Sequence, residues 1–233
     1  MARPAIAQLL PPELARTLGA SRSGVYKALP TGIETLDLAL QGGVPRGAVT
    51  EIFGEFGQGA WWLGLHLLAQ VKDKICALIE PAGTFFPPGA AALGVDLGRL
   101  LVIRESNRKQ ALWALERISH EKVVGATLAV MERMSELEVR RLQLAAEASG
   151  QVLLLLRNPR EISRASWGAL RLHVHARPGQ RNGRCLVVET LRARGALAPR
   201  PVLLEIEHAT DAVRLSALLP HATGGTVTAR FAG

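Results

Sequence analysis

Gly54 and Gly59 stand five positions apart in EIFGEFGQGAWWLGLHLLAQV (residues 51–71), between an apolar run and a helical pattern. Glycines at that spacing let backbone N–H groups turn inward around phosphate. A Lys after the second glycine then reaches the terminal phosphates, and a neighbouring Ser or Thr holds magnesium. Here Ala60 takes the Lys position and Trp61 the hydroxyl position. The spacing of a phosphate-binding loop is kept and its reactive groups are not. This predicts a nucleotide-binding fold reused for something other than ATP hydrolysis, with no catalytic residue and no cofactor.

The second chemical signal is charge. The chain carries a net +8, and ten Arg (157, 160, 164, 171, 177, 181, 184, 192, 194 and 200) against Glu161 and Glu189 account for all of it. The remaining residues are balanced. Arg is the residue suited to bidentate phosphate contact. Arg157, Arg160, Arg164, Arg171, Arg177, Arg181, Arg184, Arg192 and Arg194 are therefore candidates for binding nucleic acid or an acidic partner. A solvated face in an Arg-rich chain gives the same pattern.

Other reactive side chains offer less. Cys76 and Cys185 lie inside apolar runs without a CxxC partner, as buried thiols in a reducing compartment do. His173 and His175 alternate on one side of a strand, where a structural or phosphate-facing role is expected rather than a metal site, and no metal is expected elsewhere. Trp61 and Trp62 plug the vacant phosphate position or present an aromatic contact, unless one of them simply joins the core of the following helix. Arg133, Arg140 and Arg141 sit among Glu132, Glu136 and Glu138, as on a mixed-charge solvated face.

The elements that must position these residues follow from the apolar pattern. At 233 residues and 48% hydrophobic, the chain can build one sizeable core. No apolar run approaches the ~20 residues of a membrane-spanning helix, and a soluble, cytoplasmic protein is expected. Residues 1–29 read as an arm whose Ile6, Leu9, Leu10, Leu14 and Leu18 pack on another element or another protein. Thr31 and Glu34 form a capping-box pattern ahead of a helix with Ile33, Leu36 and Leu40 on one face, stopped by Gly42-Gly43. From Ala48 on, the apolar runs AVTEIF, KICALIE, LLVIRE, ATLAVME and QVLLLLR alternate with helical patterns, the last of these running through Leu137, Leu142 and Leu144. That alternation predicts an α/β fold with a mainly parallel sheet flanked by helices. ALRLHVHA, RCLVVETLRA and PVLLEIEHA then predict three antiparallel strands on its C-terminal side. The expected division is an arm (1–29), a core (30–209) and a tail (210–233).

The approach to the loop, LPTGIETLDLALQGGVPRGAVTEIFG, and its continuation CALIEPAGTFFPPGAAALGVDLGRLLV resemble the RecA recombinase superfamily over about residues 29–208. The resemblance implies a RecA-like P-loop core. It places the family's loop Lys and Thr on Ala60 and Trp61, its water-activating acid on Ala82, and its phosphate-sensing Gln near Pro159. Its Walker B Asp falls on Glu132, a relic acid. The two loops that hold single-stranded DNA in RecA are much shortened, after Glu132 and between Arg157 and Trp167.

A degenerate RecA-like chain of this length is most similar to the ImuA family of the damage-induced (SOS) mutagenesis cassette. That resemblance implies a non-hydrolysing accessory factor in translesion synthesis. Its implied partners are an ImuB-type Y-family polymerase homologue and an alternative replicative polymerase, extending to RecA itself and single-stranded DNA, with no membrane. A division inhibitor of the SulA type, and an ATP-dependent repair ATPase with an atypical site, remain as alternatives.

Overall fold

The computed structural model describes residues 27–81, 83–178, 183–193, 201–207 and 213–218. The expected arm (1–29) and tail (210–233) therefore lie largely outside the described residues.

The chain enters through β1 (Ala28–Leu29), helix α1 (Glu34–Ala39) and β2 (Val44–Pro45), with β1 and β2 antiparallel. The capping box expected of Thr31 and Glu34 does not form. Gly32 turns the chain at φ +76°, so the helix starts at Glu34 with Ile33 at its N-cap. Thr31 Oγ1 accepts from the Ile33 N–H (3.2 Å), and Asp37, not Glu34, accepts from the Thr31 N–H (2.6 Å). Ile33 and Leu36 are buried as expected. The helix stops where Gln41, Gly42 and Gly43 all take positive φ. At Gly43 a Cβ would sit 2.1 Å from the Leu29 carbonyl oxygen, so only glycine lets β1 and β2 close.

The main sheet follows in the chain as β3 (Ala48–Phe53), α2 (Ala60–Ala69), β4 (Ile75–Glu80), α3 (Pro87–Ala92) and β5 (Leu100–Arg104). Next come α4 (Arg108–Ser119), β6 (Val124–Val130), α5 (Glu136–Ser149), β7 (Val152–Arg157) and β8 (Leu170–Pro178). The last described strands are β9 (Gly183–Ala193), β10 (Val202–Glu207) and β11 (Val213–Leu218). Its order is β11-β10-β9-β8-β3-β7-β6-β4-β5. From β8 to β5 every neighbour is parallel. Strands β3, β6 and β7 are buried along almost their whole length, because helices cover both faces. Helix α2 packs its apolar side on one face with Leu78, Leu128 and Leu154. Helices α4 and α5 cover the other, over Val49, Leu153 and Leu155. Among the described residues no helix is long and apolar enough to cross a membrane.

Three expectations change. Strand β8 pairs parallel with β3 and turns antiparallel only toward β9. Residues 158–169 form more than a turn: a dozen residues reach ~40 Å, twice the length of a six-residue strand, so the chain returns to the start of the sheet before β8 begins. The antiparallel part also runs one strand further, to β11, inside the stretch expected to be tail. On α5 the buried stripe is Val139, Leu142, Ala145 and Ala146, while Leu137 and Leu144 are 57% and 58% exposed. Each lies two residues, about 200°, around the helix from a buried position. The capping box that does form is on this helix: Ser135 Oγ accepts from the Glu138 N–H, and Glu138 Oε2 accepts from the Ser135 N–H.

Candidate functional site

Strand β3 delivers the chain to Gly54 and α2 takes it up at Ala60, so the glycine loop stands at the C-terminal end of the sheet, as the sequence predicts. Gly59 caps α2 at φ +100° without any side-chain hydrogen bond. Both motif glycines are held by packing. A Cβ on Gly54 would lie 2.7 Å from the Val174 carbonyl oxygen and 2.6 Å from the Ala60 Cβ, and one on Gly59 would lie 2.5 Å from Leu186 Cδ2.

In front of the loop opens a cavity of about 400 Å³, lined by Gly54, Ala60, Trp61, Glu132, Arg157 and Arg160 among others. Ala60 offers only a buried methyl, and Trp61 lays a half-buried indole along the wall. Trp62 points away into the core, stacked on His66 with 5.0 Å between ring centroids. Glu132 is exposed at the rim. The acid at the end of β4, Glu80, is occupied by its own surroundings. It accepts from the Thr84 N–H (3.0 Å) and hydroxyl, and from Arg104 Nε at 3.3 Å.

The arginines divide. Arg157 and Arg171, expected to bind a nucleic acid or a partner, are internal: 4% and 9% exposed, both facing Glu51, which is fully buried. Arg157 Nη1 donates to Glu51 Oε1 and its Nη2 to the Met134 carbonyl, with Glu161 Oε2 3.5 Å away. Arg171 Nη2 donates to the Ile162 carbonyl (2.9 Å). Its Nε lies 3.1 Å from Glu51 Oε2, an ion-pair contact off the hydrogen-bond line. Both guanidiniums lie against the Phe53 ring, at 5.6 and 4.8 Å from its centroid. Two desolvated cations facing Glu51, with Glu161 beside Arg157, belong to the structure of the sheet, not to a docking face.

Arg160, Arg164, Arg177, Arg184 and Arg192 are exposed. Arg164 pairs with Glu161 at 2.9 Å, and Arg192 donates to the Ser166 carbonyl. Arg181 and Arg194 lie outside the described residues. The mixed-charge face expected around α5 is present: Arg108 holds Glu138 at 2.7 Å, Glu116 lies 3.9 Å from Arg141, and Arg140 covers the Trp167 ring.

Sequence reasoning missed one grouping. His173 and His175 share a face of β8, and the β8–β9 register sets Glu189 directly opposite His173. One ligand atom from each of the three lies within 4.8 Å of the other two. Burial lowers the affinity of His175 for a proton, against an opposite pull from Glu189. Only knowledge of the strand register would have revealed this trio.

The model of the RecA N-terminal domain matches residues 13–151, more than half of the chain. The chain belongs to the RecA family. It is 34% identical over 137 residues to "DNA repair protein recA homolog 1, chloroplastic" of Arabidopsis thaliana, covering 58% of this chain and 30% of that protein. It is 34% identical over 140 residues to Protein RecA of Prochlorococcus marinus (strain MIT 9303), covering 58% and 37%. Protein RecA of Chlorobaculum parvum (strain DSM 263 / NCIMB 8327) is 39% identical over 119 residues, covering 48% and 34%. The match thus spans roughly a third of the length of these RecA relatives. Among solved structures, that of the RadB recombinase shares the fold, with a TM-score of 0.63 at 16% identity, covering 78% of this chain and 97% of that one. The RecA-like architecture expected from the sequence, parallel core and antiparallel C-terminal side included, is the one the protein has.

Proposed function

We propose that this RecA-family chain is a non-hydrolysing accessory factor of SOS-induced translesion synthesis, similar to ImuA, acting by binding other proteins. The observation that carries the reading is the wall of the loop cavity, where a methyl and an indole stand at the positions of a phosphate-binding ammonium and a magnesium-binding hydroxyl. Phosphoryl transfer rests on positioning and charge stabilisation, so without those groups little remains to accelerate it. One lost charge-assisted phosphate contact alone costs about 1.5–3 kcal/mol of binding. On this reading the partners are the ImuB-type polymerase homologue, the alternative replicative polymerase and RecA, in the cytoplasm.

Two measurements on the full chain test it together. Isothermal titration with millimolar ATP and magnesium is expected to give no heat, and the chain is expected to co-purify with the polymerase homologue or with RecA. ATP turnover, or clean failure to bind both proteins, overturns the proposal.

Single-stranded DNA is a further partner on this reading, through exposed arginines only. With Arg157 and Arg171 internal, the described contacts reduce to Arg160, Arg177, Arg184 and Arg192, besides the already paired Arg164. At about 0.7 per phosphate contact, four contacts give a slope of roughly −3 for log K against log salt. Fluorescence anisotropy across a salt series reads that slope. The triple change R160E, R177E and R184E is expected to cut it by about two. An unchanged slope would remove these arginines from the interface.

A further inference from the structure

His173, His175 and Glu189 are not among the residues lining the loop cavity, and nothing in the proposed function uses them. Strands β8 and β9 hold them on a rigid antiparallel pair, with His173 opposite Glu189 and His175 two residues further along the same face. His173 Nδ1 is already 3.3 Å from Glu189 Oε2. The two imidazoles are 5.1 Å apart between centroids and tilted by 39°, so they do not stack face to face.

A tetrahedral ion with bonds of about 2.0–2.2 Å needs its ligand atoms roughly 3.3–3.6 Å apart. The three ligand atoms lie within 4.8 Å of one another, so the site must close by little more than ~1 Å, and all three side chains are partly exposed. The independent observation is His175 Nδ1. That atom is shielded from solvent although the rest of the side chain is partly exposed, and it has no hydrogen-bond partner among the described residues. A buried polar nitrogen left unmatched is uncommon enough to call for a ligand.

We propose that His173, His175 and Glu189 form a divalent transition-metal site, accepting zinc and completed by water, that clips β8 to β9. Two imidazoles and one carboxylate are a donor set that zinc accepts in sites completed by water. The clip lies where the parallel part of the sheet turns antiparallel, so metal binding adds directly to the cohesion of that junction.

The test uses the metal-free full chain titrated with zinc chloride against a chromophoric chelator. One equivalent is expected to bind. Zinc at a hundred times Kd is expected to raise the unfolding midpoint by about 5–10 °C. H175Q and E189Q, both on partly exposed side chains, are expected to weaken binding at least ~10-fold. H120Q, at an exposed position beyond α4, is expected to leave it unchanged. Substituted cobalt should give a tetrahedral visible spectrum without a thiolate charge-transfer band. Absence of binding in excess zinc overturns the proposal, as does binding untouched by both variants. A thiolate band would place the metal on a cysteine instead and overturn it too. Should H175Q fail to fold, E189Q and the cobalt spectrum still decide.

Discussion

Glu51→Ala is expected to lower the free energy of unfolding by about 3–5 kcal/mol, because it takes the central carboxylate from two buried guanidiniums at once and leaves Arg157 only Glu161. Glu51 is fully buried and faces both Arg157 and Arg171. Gly168 closes over it so tightly that a Cβ there would lie 2.8 Å from Glu51 Oε2. Urea unfolding at neutral pH measures the loss. A drop below about 1 kcal/mol would mean that the arginines reach solvent and that the network is a surface feature. The companion change E51L, R157M and R171M removes all three charges together. It is expected to recover most of the stability, since apolar groups of similar volume often replace a buried ion network without loss.

Gly54→Ala is expected to cost about 1–3 kcal/mol with no nucleotide present. The added methyl would meet the Val174 backbone and the Ala60 Cβ, and neither is a flexible side-chain end that can swing aside. In a nucleotide-binding loop this glycine is explained by the close approach of phosphate. Here strand β8 makes the same demand, so the motif persists as a packing requirement. Thermal unfolding reads the effect, and a variant as stable as the parent would show that the loop stands off β8. The same reasoning explains why glycine spacing alone overstates nucleotide binding: the loop keeps its form in a wall that offers phosphate no Lys.

Much of this was legible from the chain. Long apolar runs alternating with helical patterns mark a covered parallel sheet because both faces of each strand must be apolar, and β3, β6 and β7 obey. The glycine loop between β3 and α2 was legible for the same reason of local sequence. What escaped depended on partners distant in sequence. A count of arginines cannot tell that Arg157 meets Glu51 across 106 residues, so charge that read as surface proved internal. The apolar Leu137 and Leu144 read as a buried face, yet the sheet selected the stripe through Val139 and Leu142. Gly32 moved the start of α1 past its apparent capping box. Glu189 joined two histidines only through strand register.

The position of β3 also sets the order in which the molecule can be made. It is the first strand of the main sheet to leave the ribosome and it lies between β7 and β8, the neighbours it needs on either side. At ~5–20 residues per second, translation takes about 5–20 s to pass from Phe53 to Val152. Through that interval a strand destined for full burial waits without its native neighbours, and its second edge stays open until β8 has also emerged. A nascent chain stopped before β7 therefore holds the glycine loop without the sheet that shapes it.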